Sequence, residues 1–123
     1  MTTLTEGKHA GGFLVWEVLC DYTRETVTLV SGAGKIAPGT VLGRITTGGK
    51  YTILTPGASN GSQNAAGILW GPVDATDADA PGVVILRGPA IVNRHEIIWP
   101  EGASEAQITT ATTALAALGI ILR

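Results

Sequence analysis

The chain has 123 residues, 45% of them hydrophobic, with 10 acidic against 8 basic side chains, 17 glycines and one cysteine. Its net charge of −2, with the basic residues scattered singly, excludes the basic footprint of a nucleic-acid-binding domain, and the hydrophobic content excludes a disordered chain. A domain of this length buries about two-thirds of its extended surface, enough for a core without staples, and the lone Cys20 has no partner for an internal disulfide.

Residues 1–12, MTTLTEGKHAGG, are polar and without periodicity. They lack the charged start and apolar centre of a signal peptide and read as a flexible N-terminal arm. Phe13–Cys20 (FLVWEVLC) is a β-type run whose one charge is Glu17. It predicts a strand that is buried or covered by a partner, with Cys20 a buried reduced thiol. Asp21–Glu25 predicts a turn, and Thr26–Val30 a strand rich in β-branched residues. Ser31–Gly34 is a loop and Pro38-Gly39 a turn.

Thr40–Ile45 and Lys50–Leu54 flank Thr46-Thr47-Gly48-Gly49, which is hairpin spacing with glycines for the positive φ angles at the tip. The polar loop Pro56–Asn64 follows, then a strand over Ala65–Trp70, in which Gly67 marks a bulge or a close backbone approach. Pro72–Pro81 reads as an acidic loop and Gly82–Arg87 as a short apolar strand ended by Gly88-Pro89. Ala90–Val92 and Glu96–Trp99 are brief β pieces.

The one convincing helix begins beyond Pro100. Ser104 is its N-cap and Gln107 completes an S-x-x-Q capping box, with Glu105 placed where the helix dipole favours negative charge. Ile108, Ala111, Leu115 and Leu118 form an apolar stripe, Thr109, Thr110, Thr112 and Thr113 the uncharged opposite face, and Gly119 the left-handed close. Ile120–Leu122 returns as a last strand. The sum is an α+β, mostly β domain of short strands with one C-terminal helix, with a single domain over residues 13–123 behind the arm of residues 1–12. No apolar run reaches the length of a membrane span, and the expected site of synthesis is a cytoplasm-like compartment.

Chemistry-bearing constellations are sparse. Asp74, Asp77, Asp79 and Gly82 imitate part of a calcium loop, but the position eleven residues after Asp77 is Gly88 and not the required carboxylate. His9 and His95 have no Cys or His at ligand spacing, and no motif places a nucleophile for His95 to serve. Gly32-Ala33-Gly34-Lys35 is too short for a phosphate loop. No catalytic residue, metal or cofactor is implied. Trp16, Trp70 and Trp99 each lie in an apolar run, so core packing is the first reading and an interface anchor the second.

The order of features resembles the head decoration proteins of lambda-like tailed bacteriophages. It is carried by Ile36-Ala37-Pro38-Gly39-Thr40-Val41-Leu42-Gly43, the Gly-tipped hairpin ending Lys50-Tyr51, Asn64-Ala65-Ala66-Gly67-Ile68-Leu69, and Trp99-Pro100-Glu101-Gly102-Ala103-Ser104 before a Thr/Ala-rich helix. The opening Glu6–Val15 is similar to the longer members. The resemblance implies a non-enzymatic virion protein that binds as a homotrimer outside the expanded capsid, contacts the major capsid protein, and stabilises the head against DNA pressure. It implies an N-terminal arm that engages the shell, here Thr2, Thr3, Leu4, Thr5, Glu6, Gly7, Lys8 and His9, with no nucleic acid or membrane as partner. Trp99, Pro100 and Glu101 are the candidate contacts between subunits. A second reading is a small ligand- or carbohydrate-binding β domain using the loop Pro56–Asn64 and Trp70; a third is an enzyme built on His95 and the acidic loop.

Overall fold

The structure, a computed structural model, describes residues 10–123. The predicted shell-binding segment Thr2–His9 lies outside the described residues, as does the side chain of Cys20. In chain order the elements are β1 (Leu14–Glu17), a single turn α1 (Cys20–Thr23), β2 (Arg24–Leu29), β3 (Gly34–Ile36), β4 (Val41–Arg44), β5 (Tyr51–Ile53), β6 (Ala65–Leu69), β7 (Val73–Ala75), β8 (Ala80–Ile85), β9 (Ala90–Val92), α2 (Glu105–Ala117) and β10 (Ile120–Leu122). The domain is therefore mostly β with one C-terminal helix.

Five strands close a barrel in the order β2-β5-β4-β6-β8. β4 and β5 pair antiparallel as the predicted hairpin, Leu42 opposite Ile53 and Arg44 opposite Tyr51, with Gly48 and Gly49 at φ +89° and +72° in the turn. The β4–β6 register shifts between Leu42 and Gly43, opposite Gly67. A Cβ on Gly67 would lie 2.7 Å from Val84 Cγ1 and 2.8 Å from the Ile85 carbonyl oxygen, so glycine is required by close approach. β3 and β7 form a two-stranded ribbon, and β1-β9-β10 a second sheet. β7 and the start of β8 occupy part of the stretch expected to be only an acidic loop. β2 begins at Arg24, inside the expected turn, and of the β piece expected over Glu96–Trp99 a single bridge remains, Ile98 to Thr40.

The barrel is filled by one apolar cluster, with Leu29, Leu42, Tyr51, Leu69 and Val84 at its centre. A second cluster lies between the barrel, the β1-β9-β10 sheet and α2, and includes Phe13, Val41, Ile68, Ile85, Val92, Leu115 and Ile120. The helix starts as its sequence dictates. Gln107 N–H donates to Ser104 Oγ at 3.2 Å, and Ser104 N–H to Gln107 Oε1 at 2.9 Å. Three of its threonines, exposed Thr110 and Thr113 and half-buried Thr112, turn their hydroxyls back onto the carbonyl four residues earlier, which removes their demand for other partners. The apolar stripe ends sooner than predicted. Ala111 and Leu115 are buried, but Leu118 is the C-cap residue and 37% exposed. Gly119, at φ +88°, turns the chain back into β10 before Leu118 can reach the core.

Candidate assembly surface

The β1-β9-β10 sheet has one face on the core and one in solvent. Ala90, Val92 and Ile120 point inward and are buried. The alternate positions form an outward row in which Ile91 of β9 is flanked by Trp16 of β1 and Ile121 of β10. Trp16 is 50% exposed and Ile121 46%. The β1 register shifts between Leu14 and Trp16, so strict alternation fails there and Val15, 60% exposed, faces solvent as well. Of the two readings of Phe13–Cys20, buried or covered by a partner, burial therefore holds only for Phe13, and of those for Trp16 core packing is overturned. Phe13 is buried; Trp16 is not.

Among the described residues the large exposed apolar side chains are Val15, Trp16, Val18, Leu19, Tyr22, Leu118 and Ile121, and none belongs to a barrel strand. Val15, Trp16 and Ile121 lie on this small sheet, Val18 and Leu118 flank it, and Leu19 and Tyr22 lie before and within α1. Val18 N–H donates to the Pro89 carbonyl at 3.1 Å and Gly88 N–H to the Leu118 carbonyl at 2.8 Å, so both residues flank the turn that enters β9. Scattered apolar exposure is ordinary in a globular protein, whereas exposure concentrated on one surface marks an interaction site.

The surface is fixed to the barrel by a polar clamp. Glu17, at the end of β1, forms an ion pair with Arg24 of β2, and both side chains are largely buried. Thr23 is fully buried; its hydroxyl donates to Glu17 Oε2 at 2.5 Å and lies 3.1 Å from the Leu19 carbonyl. The Arg24 guanidinium lies 4.5 Å from the centroid of Trp70, a cation–π stack on the far side of the ion pair. Gly11 closes over the same indole. Its N–H donates to the Trp70 carbonyl at 2.8 Å, and a Cβ there would lie 2.9 Å from Trp70 Nε1. That buried Nε1 has no hydrogen-bond partner among the described residues. Sequence reasoning missed this clamp because its members come from β1, α1, β2 and the residue that follows β6. Its one visible signal was a glutamate inside an apolar run.

The other predicted residues are placed apart. Trp99 packs partly buried against the second core cluster, Pro100 is half-buried and Glu101 exposed, in a turn held by Ala103 N–H donating to the Pro100 carbonyl at 3.1 Å. The loop Pro56–Asn64 and Trp70 do not converge. Pro56, Gln63 and Asn64 line a groove of about 320 Å³ against α2, whereas Trp70 lies under Gly11 and Arg24.

His95 is exposed and its backbone N–H donates to Asn93 Oδ1 at 3.0 Å. Asp74 accepts from the Thr76 hydroxyl and N–H, and Asp79 from Lys50 Nζ and Ser31 N–H. These hydrogen bonds hold both carboxyls below the usual carboxylate range. Among the described residues no group of three or more His, Cys, Asp or Glu side chains gathers as a metal site would need.

The sequence profile of the bacteriophage lambda head decoration protein D family matches residues 3–120. The chain belongs to that family. It is a family of structural proteins of the phage head, which accords with a surface suited to packing. No curated protein matches this family member significantly in sequence.

Proposed function

We propose that the chain decorates the outside of the expanded phage head as a homotrimer and stabilises the shell against the pressure of packaged DNA, with no catalytic step. The observation that carries this reading is the exposed apolar row of Val15, Trp16 and Ile121 on the β1-β9-β10 sheet, with Val18 and Leu118 flanking it. A cyclic trimer needs two different complementary surfaces on every copy. The sheet offers two ends of one apolar row, Val15, Trp16 and Leu19 beside β1 and Leu118 and Ile121 beside β10. In this reading the first end of one copy packs on the second end of the next. The turn Trp99-Pro100-Glu101 supplies a further contact between copies, and Thr2–His9 is the arm that engages the major capsid protein.

Trimerisation gives weak shell contacts a collective effect. Simultaneous engagement raises avidity by roughly 10²–10⁴ over one contact, so each copy needs only a modest footprint on the capsid. Synthesis in the host cytoplasm and late addition to a finished shell follow from the same reading.

Co-sedimentation with expanded heads lacking decoration, against unexpanded proheads, tests it. Saturable binding to expanded heads near one copy per capsid subunit is expected. Failure to bind expanded heads would overturn the reading.

A further inference from the structure

The barrel is closed on one side by a single pair. β2 and β5 run parallel and meet only at Leu29 and Tyr51, where Val30 N–H donates to the Tyr51 carbonyl at 2.9 Å. The opposite edge of β2 is paired with β8 along its whole length, Arg24 to Ile85 through Leu29 to Ala80. On the β5 side, residues 24–28 have no strand partner among the described residues. A slot of about 520 Å³ opens there, between Glu25, Val27 and Thr28 on one wall and Arg44 and Gly48–Tyr51 on the other.

The slot has a consistent chemistry. Its floor is apolar, because Val27 and Leu86 pack against the barrel cluster and Tyr51 belongs to it. Its rim carries Arg44, Lys50 and Arg87 against Glu25. Lys50 is held by Asp79 at 2.5 Å, and Arg87 by Glu25 at 3.2 Å and the Tyr22 carbonyl at 2.6 Å. The Arg44 guanidinium has neither an ion pair nor a hydrogen bond among the described residues. An unpaired guanidinium is a strong receptor for a carboxylate, and an open strand edge is a receptor for an extended chain. Together they specify a ligand that is both.

We propose that this slot receives an acidic, extended segment of a partner protein, with its main chain along the free edge of β2 and a carboxylate against Arg44. Alternate side chains of such a strand would rest on Val27 and Leu86 while the others meet the cationic rim. The site is separate from the apolar sheet, and the inference stands whether or not that sheet holds copies together.

The test is a titration of the full chain followed by backbone amide shifts, using a capped peptide of alternating Glu and Val, its Gln-for-Glu counterpart, and inorganic phosphate. The Glu peptide should shift amides of residues 25–28 and 44–51 saturably. Binding should weaken roughly tenfold or more for the Gln peptide, and equally for the Glu peptide with an Arg44→Gln protein. Arg44 is exposed, so unchanged shifts elsewhere will establish that the variant is folded. Three results would overturn the proposal: no saturable shift with the Glu peptide, equal affinity for the Gln peptide, or the same shifts and affinity with phosphate alone.

Discussion

Leu115 and Leu118 lie three residues apart on one helix, and the structure gives them opposite weights. Leu115 is 0% exposed, within the cluster that joins α2 to the barrel and to β10. Leu118 is the C-cap residue and retains 37% of its exposure. Truncating Leu115 to Ala removes buried methyl groups and leaves a cavity. The hydrogen-bonded barrel strands cannot close over it, so the cost should be about 3–4 kcal/mol, inside the range for buried leucines. Leu118→Ala should cost about 1 kcal/mol or less, as for a partly solvated side chain. For a domain of this size the larger figure lowers the melting midpoint by roughly 12 °C or more. The assay is urea unfolding followed by far-UV circular dichroism at one fixed protein concentration, since assembly would make the midpoint concentration-dependent, with the slope checked for constancy. Equal costs for the two variants, or a cost below about 1 kcal/mol at Leu115, would refute the assigned packing of α2.

Arg24→Ala should destabilise by about 1–3 kcal/mol, because it leaves the largely buried Glu17 without its counter-charge and uncovers the Trp70 ring. Trp fluorescence and the unfolding midpoint will both report it. Gly67→Ala should cost about 1–3 kcal/mol through forced overpacking against Val84 and the Ile85 carbonyl, read in the same unfolding assay. The Asp79 carboxyl, held down by Lys50 and the Ser31 N–H, should titrate below an ordinary aspartate in a carboxyl-carbon NMR titration and move back up in Lys50→Ala. Since its folded pKa is the depressed one, its contribution to stability is present above the unfolded pKa and lost as pH falls through the folded value.

Where local chemistry decides, the sequence was sufficient. The β4–β5 hairpin follows from Gly48-Gly49 between two β-rich runs, the start of α2 from Ser104 and Gln107, and the return into β10 from Gly119. Gly67 announced a close approach, although not against which strand. What remained hidden depends on residues far apart in the chain. The parallel pairing of β10 with β9, the antiparallel pairing of β2 with β8, and the stack of Arg24 on Trp70 join segments that carry no mark of one another. The sequence left the candidate surface open between a buried and a partner-covered strand for a narrower reason. A hydrophobic run such as Phe13–Cys20 satisfies the pattern of a buried strand equally well when half of it faces a partner, and the register shift after Leu14 that turns Val15 and Trp16 outward leaves no trace in composition.

The claim at the centre of the account is that the outward row of the β1-β9-β10 sheet joins copies of the chain. Trp16→Thr together with Ile121→Thr removes the two large exposed members that flank Ile91 in the row while placing a β-branched residue in each strand. Sedimentation velocity on the unaltered chain and on this double variant, with circular dichroism as the control for folding, addresses it directly. The account predicts a trimer for the unaltered chain and a folded monomer for the variant. A variant that still sediments as a trimer, or an unaltered chain that remains monomeric at every concentration, would contradict it.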